Sequence, residues 1–250
     1  MSIIETLMEN EETTVDTVFF GVAVGIVTNI DDPDKRNRVK VKLINRDSSD
    51  YETDFIRVAT PMVGKQWGMF FFPEVGDEVL VAFGNGDITR PYVIGSLWNQ
   101  NYKPPVDFDK KNMVREIKTK NGHEIIFHDE DNKDYIEIKT PKALTINLND
   151  EKEIITIQDK KGKNILKIDS KNGQVEVVAE KKISLAAGNS KLELDGNGNA
   201  IRLESSKSIN IKSQQIVIES KGTLDLKTSG NMNIKANGQA MIKGAIVKVN

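Results

Sequence analysis

The sequence predicts an all-β fold in which a small antiparallel barrel or sandwich precedes a long, narrow array of short strands. Both tryptophans and seven of the nine phenylalanines lie within residues 19–100. After Pro141 the chain contains no proline, no cysteine and no aromatic residue. From residue 175 onward, apolar residues come in alternating pairs at a step of about eight residues, and a fixed step of this kind indicates a repeat array.

The first eighteen residues are acidic and contain apolar residues at near-helical spacing, namely Ile3, Ile4, Leu7 and Met8. Segment 1–18 is therefore a candidate contact with a partner, although a frayed chain end would have the same composition. It lacks the basic start and apolar core of a signal peptide. No apolar run in the chain approaches the ~20 residues that a membrane-spanning helix requires, so we expect a chain made and folded in the cytoplasm.

Residues 19–100 contain five segments with strand character, separated by the turn-forming sequences DDPDKRN, RDSSDYE, FPEVGD and GNGD. Alternating apolar residues between such turns are typical of antiparallel strands. Five strands within about eighty residues, without a helical pattern, predict a small barrel or sandwich. The five segments are Phe20–Ile30, Arg38–Ile44, Asp54–Thr60, Glu78–Phe83 and Pro91–Trp98.

The region after the barrel divides into a linker, a neck and a rod. Residues 101–115 include Pro104 and Pro105 and read as a linker. Residues 116–143 read as a neck hairpin, in which HEIIF and YIEIKT are strands and HDEDNKD is the polar turn. Residues 144–250 form the predicted rod.

The rod consists of strands too short to bury an apolar face alone, so neighbouring strands must cover it. A single chain could coil into a solenoid, or three chains could wind into a triangular prism. Aliphatic residues at inward positions and the lack of rings fit a narrow prism, recurring glycines fit its corners, and intertwining would pair exposed strand edges. Our hypothesis is the trimer. The pairs are Val175/Val177, Ile183/Leu185, Leu192/Leu194, Ile201/Leu203, Ile209/Ile211, Ile216/Ile218, Leu224/Leu226 and Met232/Ile234.

The stretch FPEVGDEVLVAFGNGDITRPYVIGSLWN, at residues 72–99, resembles the OB-fold domain of contractile-tail central spike proteins, which include phage baseplate assembly protein V and VgrG. The strand from Val24 to Val27, the strand from Arg38 to Val41 and the Trp67-Gly68 turn also match, and residues 117–129 resemble the neck of that family. The motif positions that carry the likeness are Pro73, Gly76, Asp77, Gly86, Asp87, Arg90, Pro91 and Gly95.

The resemblance implies an OB-fold barrel followed by an intertwined trimeric β-helix. It implies a structural spike that caps the tail tube of a phage tail, tailocin or related particle and pierces the target cell envelope. Such a protein is not an enzyme and needs no cofactor. It is assembled in the bacterial cytoplasm and belongs to a phage tail or phage-tail-like particle, in the virion or extracellular when released.

Departures from the family pattern refine the expected partners. Only residues 101–115 lie between barrel and neck, so we expect no inserted lysozyme domain. Only about eighteen residues precede the barrel, so we expect a separate trimeric hub protein, with segment 1–18 as a candidate contact with that hub. The chain ends GAIVKVN without a histidine, so we expect no metal tip. A PAAR-type tip protein could sit there instead, on Gly244, Val247, Val249 and Asn250.

The motif residues have structural roles in this interpretation. Gly76 and Gly86 permit tight turns, and Asp77 and Asp87 cap those turns through side-chain bonds to the backbone. Arg90 and Pro91 begin an edge strand. None of these positions is a candidate for catalysis.

Chemical candidates are few. The cluster around His123 and His128 is better explained as a polar hairpin turn, Asp195–Asn199 as a corner turn rather than a calcium loop, and Gly84–Asp87 as a hairpin turn rather than a phosphate loop. Five barrel aromatics could stack on bases, so an OB-fold nucleic-acid-binding module with a solenoid tail is the alternative, although a core or trimer-interface role is preferred for them: Trp67, Phe70, Phe71, Phe72 and Trp98. The balanced charge, with 35 basic against 37 acidic residues, argues against it. A glycan hydrolase is a third interpretation, but it would need paired carboxylates in a groove, and the regular array offers no aromatic platform for a sugar.

Overall fold

The computed structural model describes residues 21–44 and 51–249, and these residues form β-structure and turns. The chain divides into two compact units, one ending at Val178 and the other beginning at Ala179. The predicted contact segment 1–18 and the terminal Asn250 lie outside the described residues.

The first unit opens with a closed five-stranded barrel in the order β1-β2-β3-β7-β6. Neighbouring strands are antiparallel except β3 and β7, which are parallel. A two-stranded hairpin, β4 and β5, lies between β3 and β6 in the chain. The bounds are β1 Val22–Asn29, β2 Arg38–Leu43, β3 Ile56–Val58, β4 Val63–Gly64, β5 Trp67–Gly68, β6 Glu78–Phe83 and β7 Pro91–Ser96. The five predicted strands are therefore the five strands of an OB-type barrel.

Apolar and polar residues alternate along the barrel strands, and the apolar ones form the core. Every second residue of β2 and β6 is buried, so each strand contributes three side chains to the interior. The strands approach closely at Gly25, where an added Cβ would lie 2.4 Å from Val41 Cγ1. The buried apolar residues are Val27, Val39, Val41, Leu43, Ile56, Val79, Val81, Phe83 and Val93.

One buried carboxylate fixes the connection between β1 and β2. The Asp32 side chain accepts hydrogen bonds from the backbone N–H groups of Asp34 and Arg36. It also accepts two from the Arg38 guanidinium, at 2.9 and 2.7 Å. These bonds, with the Arg38 side-chain hydrogen bonds as the main cause, hold the pKa of Asp32 far below its ordinary value. The sequence DDPDKRN therefore closes its turn around a bidentate ion pair.

The first unit continues as a seven-stranded antiparallel sheet in which each strand pairs with the next one in the chain. Turns of four to six residues connect the strands, and a Glu74–Lys120 ion pair of 3.2 Å joins a barrel turn to the first hairpin of the sheet. The strands are β8 Val114–Lys118, β9 Glu124–His128, β10 Tyr135–Lys139, β11 Thr145–Asn149, β12 Ile154–Gln158, β13 Ile165–Asp169 and β14 Gln174–Val178.

The second unit contains one three-stranded antiparallel sheet, in the order β15-β16-β17. The strands are β15 Lys182–Ala187, β16 Ser190–Asp195 and β17 Ala200–Ser205. Residues 206–249 belong to no strand, and their backbone is interrupted by bends at residues 206–207, 214, 221–222, 229–230, 237–238 and 245–246. The bends recur at about the eight-residue step of the apolar pairs.

Candidate functional site

The motif residues before β6 form a tight turn on the barrel. Pro73 precedes it, and Gly76 lies within it at φ 97°, a conformation that favours glycine. The Gly76 N–H donates to the Val27 carbonyl at 2.8 Å. The Asp77 carboxylate accepts the Glu74 N–H at 2.9 Å, so the turn is closed by a side chain and joined to β1.

The motif residues between β6 and β7 form a second turn. Gly86 is buried at φ 77°, and the Asp87 carboxylate accepts both the N–H and the hydroxyl of Thr89. These two bonds lower the pKa of Asp87. Arg90 lies 3.3 Å from the same carboxylate, and the arrangement positions backbone rather than a reactive group.

The strand that begins at Pro91 differs from the expectation in one respect. β7 is not an edge strand, because it pairs with β6 on one side and β3 on the other. Pro91 is tolerated since it is the first residue of β7 and faces only Phe83, while the register with β3 starts at Tyr92. Gly95 lies opposite Leu80, beside a β-bulge.

The seven-stranded sheet carries an uncovered apolar face, which we call the apolar face. Two rows of side chains cross the sheet perpendicular to its strands, and each side chain is in register with the next. Their exposed fractions lie between 36% and 70%, although cross-strand neighbours cover part of each. The first row is Ile117, Ile125, Ile138, Ile146, Ile157, Leu166 and Val177; the second is Phe127, Ile136, Leu148, Ile155, Ile168 and Val175.

The opposite face of the same sheet carries most of its charged and polar side chains, and several of these are paired with one another. Glu124 lies 2.6 Å from Lys118 and 3.4 Å from Lys139, and the hydrogen bond from Lys118 is the main cause of its lowered pKa. Lys167 pairs with Asp169 at 3.6 Å. The paired charged side chains lie on this face, so it is the face of the sheet that is suited to solvent.

The three-stranded sheet repeats this division. Its apolar face has the rows Ile183–Leu194–Ile201 and Leu185–Leu192–Leu203, each in register across the strands. On the other face the nearly buried Glu193 contacts Lys191, Lys182 and Arg202. The hydrogen bond from Lys191, followed by that from Lys182, lowers the pKa of Glu193.

Residues 206–249 extend the same pattern without any strand partner in the described chain. Every one of these residues is exposed. The paired apolar residues remain 49–76% exposed, from Ile209 at the low end to Ile234 at the high end. An apolar array of this length without a covering layer is incomplete as a folded unit.

Large aromatic side chains are exposed on the barrel as well. Trp67, Phe70, Phe71 and Trp98 are 61–70% exposed, whereas Phe72 packs against the core. Four of these five aromatic residues are therefore outside the core, and an interface role fits those four better than a packing role.

The polar cluster near His123 and His128 is held by ion pairs and by ring stacking. Asp129 is bound by Arg115 at 2.7 Å, Glu130 by Lys133 at 3.1 Å, and His128 stacks on Tyr135 at 4.8 Å. Across residues 21–44 and 51–249, no group of three or more His, Cys, Asp or Glu side chains could hold a metal ion.

The Asp195–Asn199 segment is the turn between β16 and β17. The Asp195 carboxylate accepts the N–H groups of Asn197 and Gly198 at 3.1 Å. Its oxygens are thus used to close a hairpin.

The residues expected to seat a tip protein are accessible where they are described. Val247 is 52% and Val249 88% exposed, and Gly244 is also exposed. Among the described residues, no helix has both the length and the apolar character to span a membrane.

Comparison with known proteins identifies the barrel. Residues 23–98 match the type VI secretion system/phage-baseplate injector OB domain. Type VI secretion system spike protein VgrG1a of Pseudomonas aeruginosa is 24% identical over 85% of this chain and 38% of its own length. VgrG2a of the same organism is 32% identical over 35% of this chain and 11% of its own. The actin cross-linking toxin VgrG1 of Vibrio cholerae is 30% identical over 44% of this chain and 11% of its own.

The chain thus spans well under half the length of these relatives. The matches give no support to the nucleic-acid-binding alternative, because they join the barrel to spike proteins through an injector domain. The barrel motif, the injector-domain match and the VgrG relatives agree: residues 23–98 form an injector OB domain, and the chain is similar to VgrG-like baseplate spike proteins.

Proposed function

We propose that three copies of this chain form the central spike of a contractile injection system, in which the barrel faces the tail tube and the rod faces the target cell envelope. The observation that carries the proposal is the apolar face. Thirteen exposed apolar side chains in two registered rows fit a wall of a prism whose other two walls are supplied by identical chains.

The geometry of the face supports a threefold prism over a solenoid. In a solenoid, later strands of the same chain would cover the face, yet its side chains remain exposed in the single chain. Six strand spacings of about 4.8 Å give this wall a length of about 29 Å. Beyond Phe127, near the start of the apolar face, both rows contain only Ile, Leu and Val, which suits a narrow prism and agrees with the lack of aromatic residues after Tyr135.

The proposed trimer also gives residues 206–249 partners with which to form strands. Extended segments separated by bends every eight residues or so would pair with the corresponding segments of two other copies. This assigns residues 19–100 to the OB-fold domain, 101–115 to a linker, 116–143 to the neck and 144–250 to the rod.

The mechanism is mechanical. Contraction of a sheath would drive the tube, and a stiff narrow rod would concentrate the force on a small area of envelope. Intertwined chains must separate before they can unfold, which predicts slow unfolding and high kinetic stability. A separate trimeric hub would bind the barrel side, and a PAAR-type tip protein would bind Gly244, Val247, Val249 and Asn250.

Particle assembly in the bacterium that encodes this chain tests the role. Deleting the gene should leave particles that lack a spike or fail to assemble, as seen by electron microscopy, and abolish killing of target cells. Complementation with the wild-type chain should restore both. Normal, active particles without the chain would overturn the proposal.

Persistence of the trimer in SDS without boiling tests the intertwined rod. A band at three times the chain mass is expected before boiling and the single-chain band after it. Complete dissociation at room temperature would contradict the intertwined topology.

A further inference from the structure

The barrel wall carries a groove that is separate from the apolar face. Its volume is about 620 Å³, and it lies where the starts of β2, β3 and β7 meet the turn that follows β6. Four of its lining residues are arginines and three are aromatic. We call it the arginine groove, defined by Arg36, Arg38, Phe55, Arg57, Arg90 and Tyr92.

The Arg57 guanidinium is positioned by Tyr92 and could bind an anion. Its guanidinium carbon lies 4.8 Å from the centroid of the Tyr92 ring, and its Nη2 donates to the Tyr92 hydroxyl at 3.0 Å. No carboxylate of the described residues forms an ion pair with it. Stacking fixes the plane of the guanidinium, and most of its five N–H donors remain available.

The other arginines differ in how far they are satisfied. Arg38 is bound by two carboxylates and is only 21% exposed, so it shapes the groove wall. Arg36 and Arg90 are exposed and lie 3.9 and 3.3 Å from single carboxylates. Exposed pairs of this kind contribute little and are readily exchanged. Asp54 is the one carboxylate among the described lining residues.

The chain itself contains a segment of matching chemistry. Residues 1–20 hold five carboxylates, Glu5, Glu9, Glu11, Glu12 and Asp16, and no lysine or arginine. Four aliphatic residues between positions 3 and 8 would suit the ring of Phe55 and the side chain of Ile88 in the groove. Acidic groups for the arginines and apolar groups for the rings occur in one short stretch.

The segment also joins the barrel close to the groove. Val22 pairs with Ala82, Ala82 with Tyr92, and Tyr92 with Arg57. Three strand spacings of about 4.8 Å place the start of β1 about 14 Å from the groove wall. Twenty residues can extend over as much as ~66 Å, so the segment reaches the groove easily.

We propose that the acidic segment 1–18 binds the arginine groove of its own barrel, with its carboxylates on Arg57, Arg36 and Arg90. The short tether keeps the segment at an effective concentration near the millimolar range, so a weak intrinsic affinity suffices. The proposal stands independently of the trimer, because every groove residue belongs to one barrel.

Hydrogen–deuterium exchange of the full chain tests this binding. Amides of residues 5–16 should exchange about tenfold more slowly in the full chain than in a synthetic peptide of residues 1–18. Arg57→Glu should bring them to the rate of the free peptide. Arg115→Glu, which removes an exposed arginine outside the groove, should leave the protection unchanged.

A second variant separates charge recognition from loss of folding. Replacing all five carboxylates of the segment by their amides leaves the barrel sequence intact and should abolish protection. Unprotected amides in the wild-type chain would overturn the proposal, as would protection that survives both changes. Protection that rises with protein concentration would show binding between copies and refute binding to the same barrel.

Single-stranded DNA provides the competing outcome. Oligo(dT) of twenty nucleotides should bind no more tightly to the wild-type chain than to Arg57→Glu. Binding that is strong in the wild type and lost in Arg57→Glu, together with an unprotected segment, would make the groove a nucleic-acid site and exclude the segment as its occupant.

Discussion

Ile157 offers the sharpest test of the trimeric prism. It lies near the middle of the first apolar row, between Ile146 and Leu166, and 44% of its surface is exposed in the single chain. Its neighbour Thr156 lies on the opposite face, in register with Asn147 and Lys167. Aspartate at 157 and aspartate at 156 therefore make the same chemical change on the two faces of one strand.

The expected magnitudes differ greatly. Complete burial of an isoleucine contributes about 1.5–3 kcal/mol, so covering the remaining 44% should contribute about 0.7–1.3 kcal/mol per chain, or about 2–4 kcal/mol per trimer. Ile157→Asp loses this gain and buries three carboxylates at one level of the prism. Each costs several kcal/mol and repels the others, so the trimer should lose more than about 10 kcal/mol.

Light scattering and unboiled SDS gels read out the result. Ile157→Asp should give single chains, and Thr156→Asp, which gains a nearby lysine, should remain trimeric. Circular dichroism of both variants should retain the β signal of the barrel. If Ile157→Asp assembles normally, or if both variants dissociate alike, the apolar face is not the trimer interface.

Three further perturbations address the two units separately. Gly25→Ala should destabilise the barrel by about 1–3 kcal/mol in urea unfolding, because the added Cβ would lie 2.4 Å from a methyl group of Val41 in the core. The control Gly95→Ala should leave the unfolding free energy almost unchanged, because no atom lies within 4 Å of the added Cβ. Equal losses of stability in the two variants would exclude the steric explanation. Asp32→Asn should lower the melting temperature at pH 7. Because folding lowers the pKa of the Asp32 carboxyl from 3.8, the gap in melting temperature between wild type and variant should persist above pH 3.8 and become smaller in stronger acid, where the wild-type carboxylate is protonated. Glu193→Gln should likewise lower the melting temperature at pH values above 4.5, the ordinary pKa of a glutamate, and this loss should become smaller in acid. A loss of melting temperature that grows as the pH falls would contradict the ion-pair explanation.

The barrel was predictable because its signals are local. Alternation such as Val39 and Val41 against polar neighbours, with turns between, locates each strand without knowledge of its partners. The OB-type closure came from the resemblance rather than from periodicity, since alternation does not determine which strands pair. The edge position assigned to the strand at Pro91 was wrong for the same reason: its pairing with β3 is long-range.

Other features carried weaker signals. β8 was not among the predicted strands, because Val114 and Ile117 do not alternate strictly and follow a proline-rich stretch. The arginine groove combines residues from three strands and from the connections before each of them, and only the closed barrel brings Arg57 and Tyr92 together. In the sequence the four arginines of the groove are spread over residues 36–90 and cannot be distinguished from ordinary surface charge.

The rod shows what the sequence of one chain determines and what it leaves to assembly. The eight-residue step predicts both the apolar pairs and the bends after residue 206. It does not define strands there, because a β-strand requires a hydrogen-bonded partner. In this account that partner belongs to another copy.

The mass of the purified chain in solution, measured by multi-angle light scattering after size exclusion, tests the central claim most directly. Three copies of 27.9 kDa give 83.7 kDa, and the trimeric spike predicts a single species of that mass. A stable, monodisperse species of 27.9 kDa would show that one chain covers its own apolar face and would contradict the account.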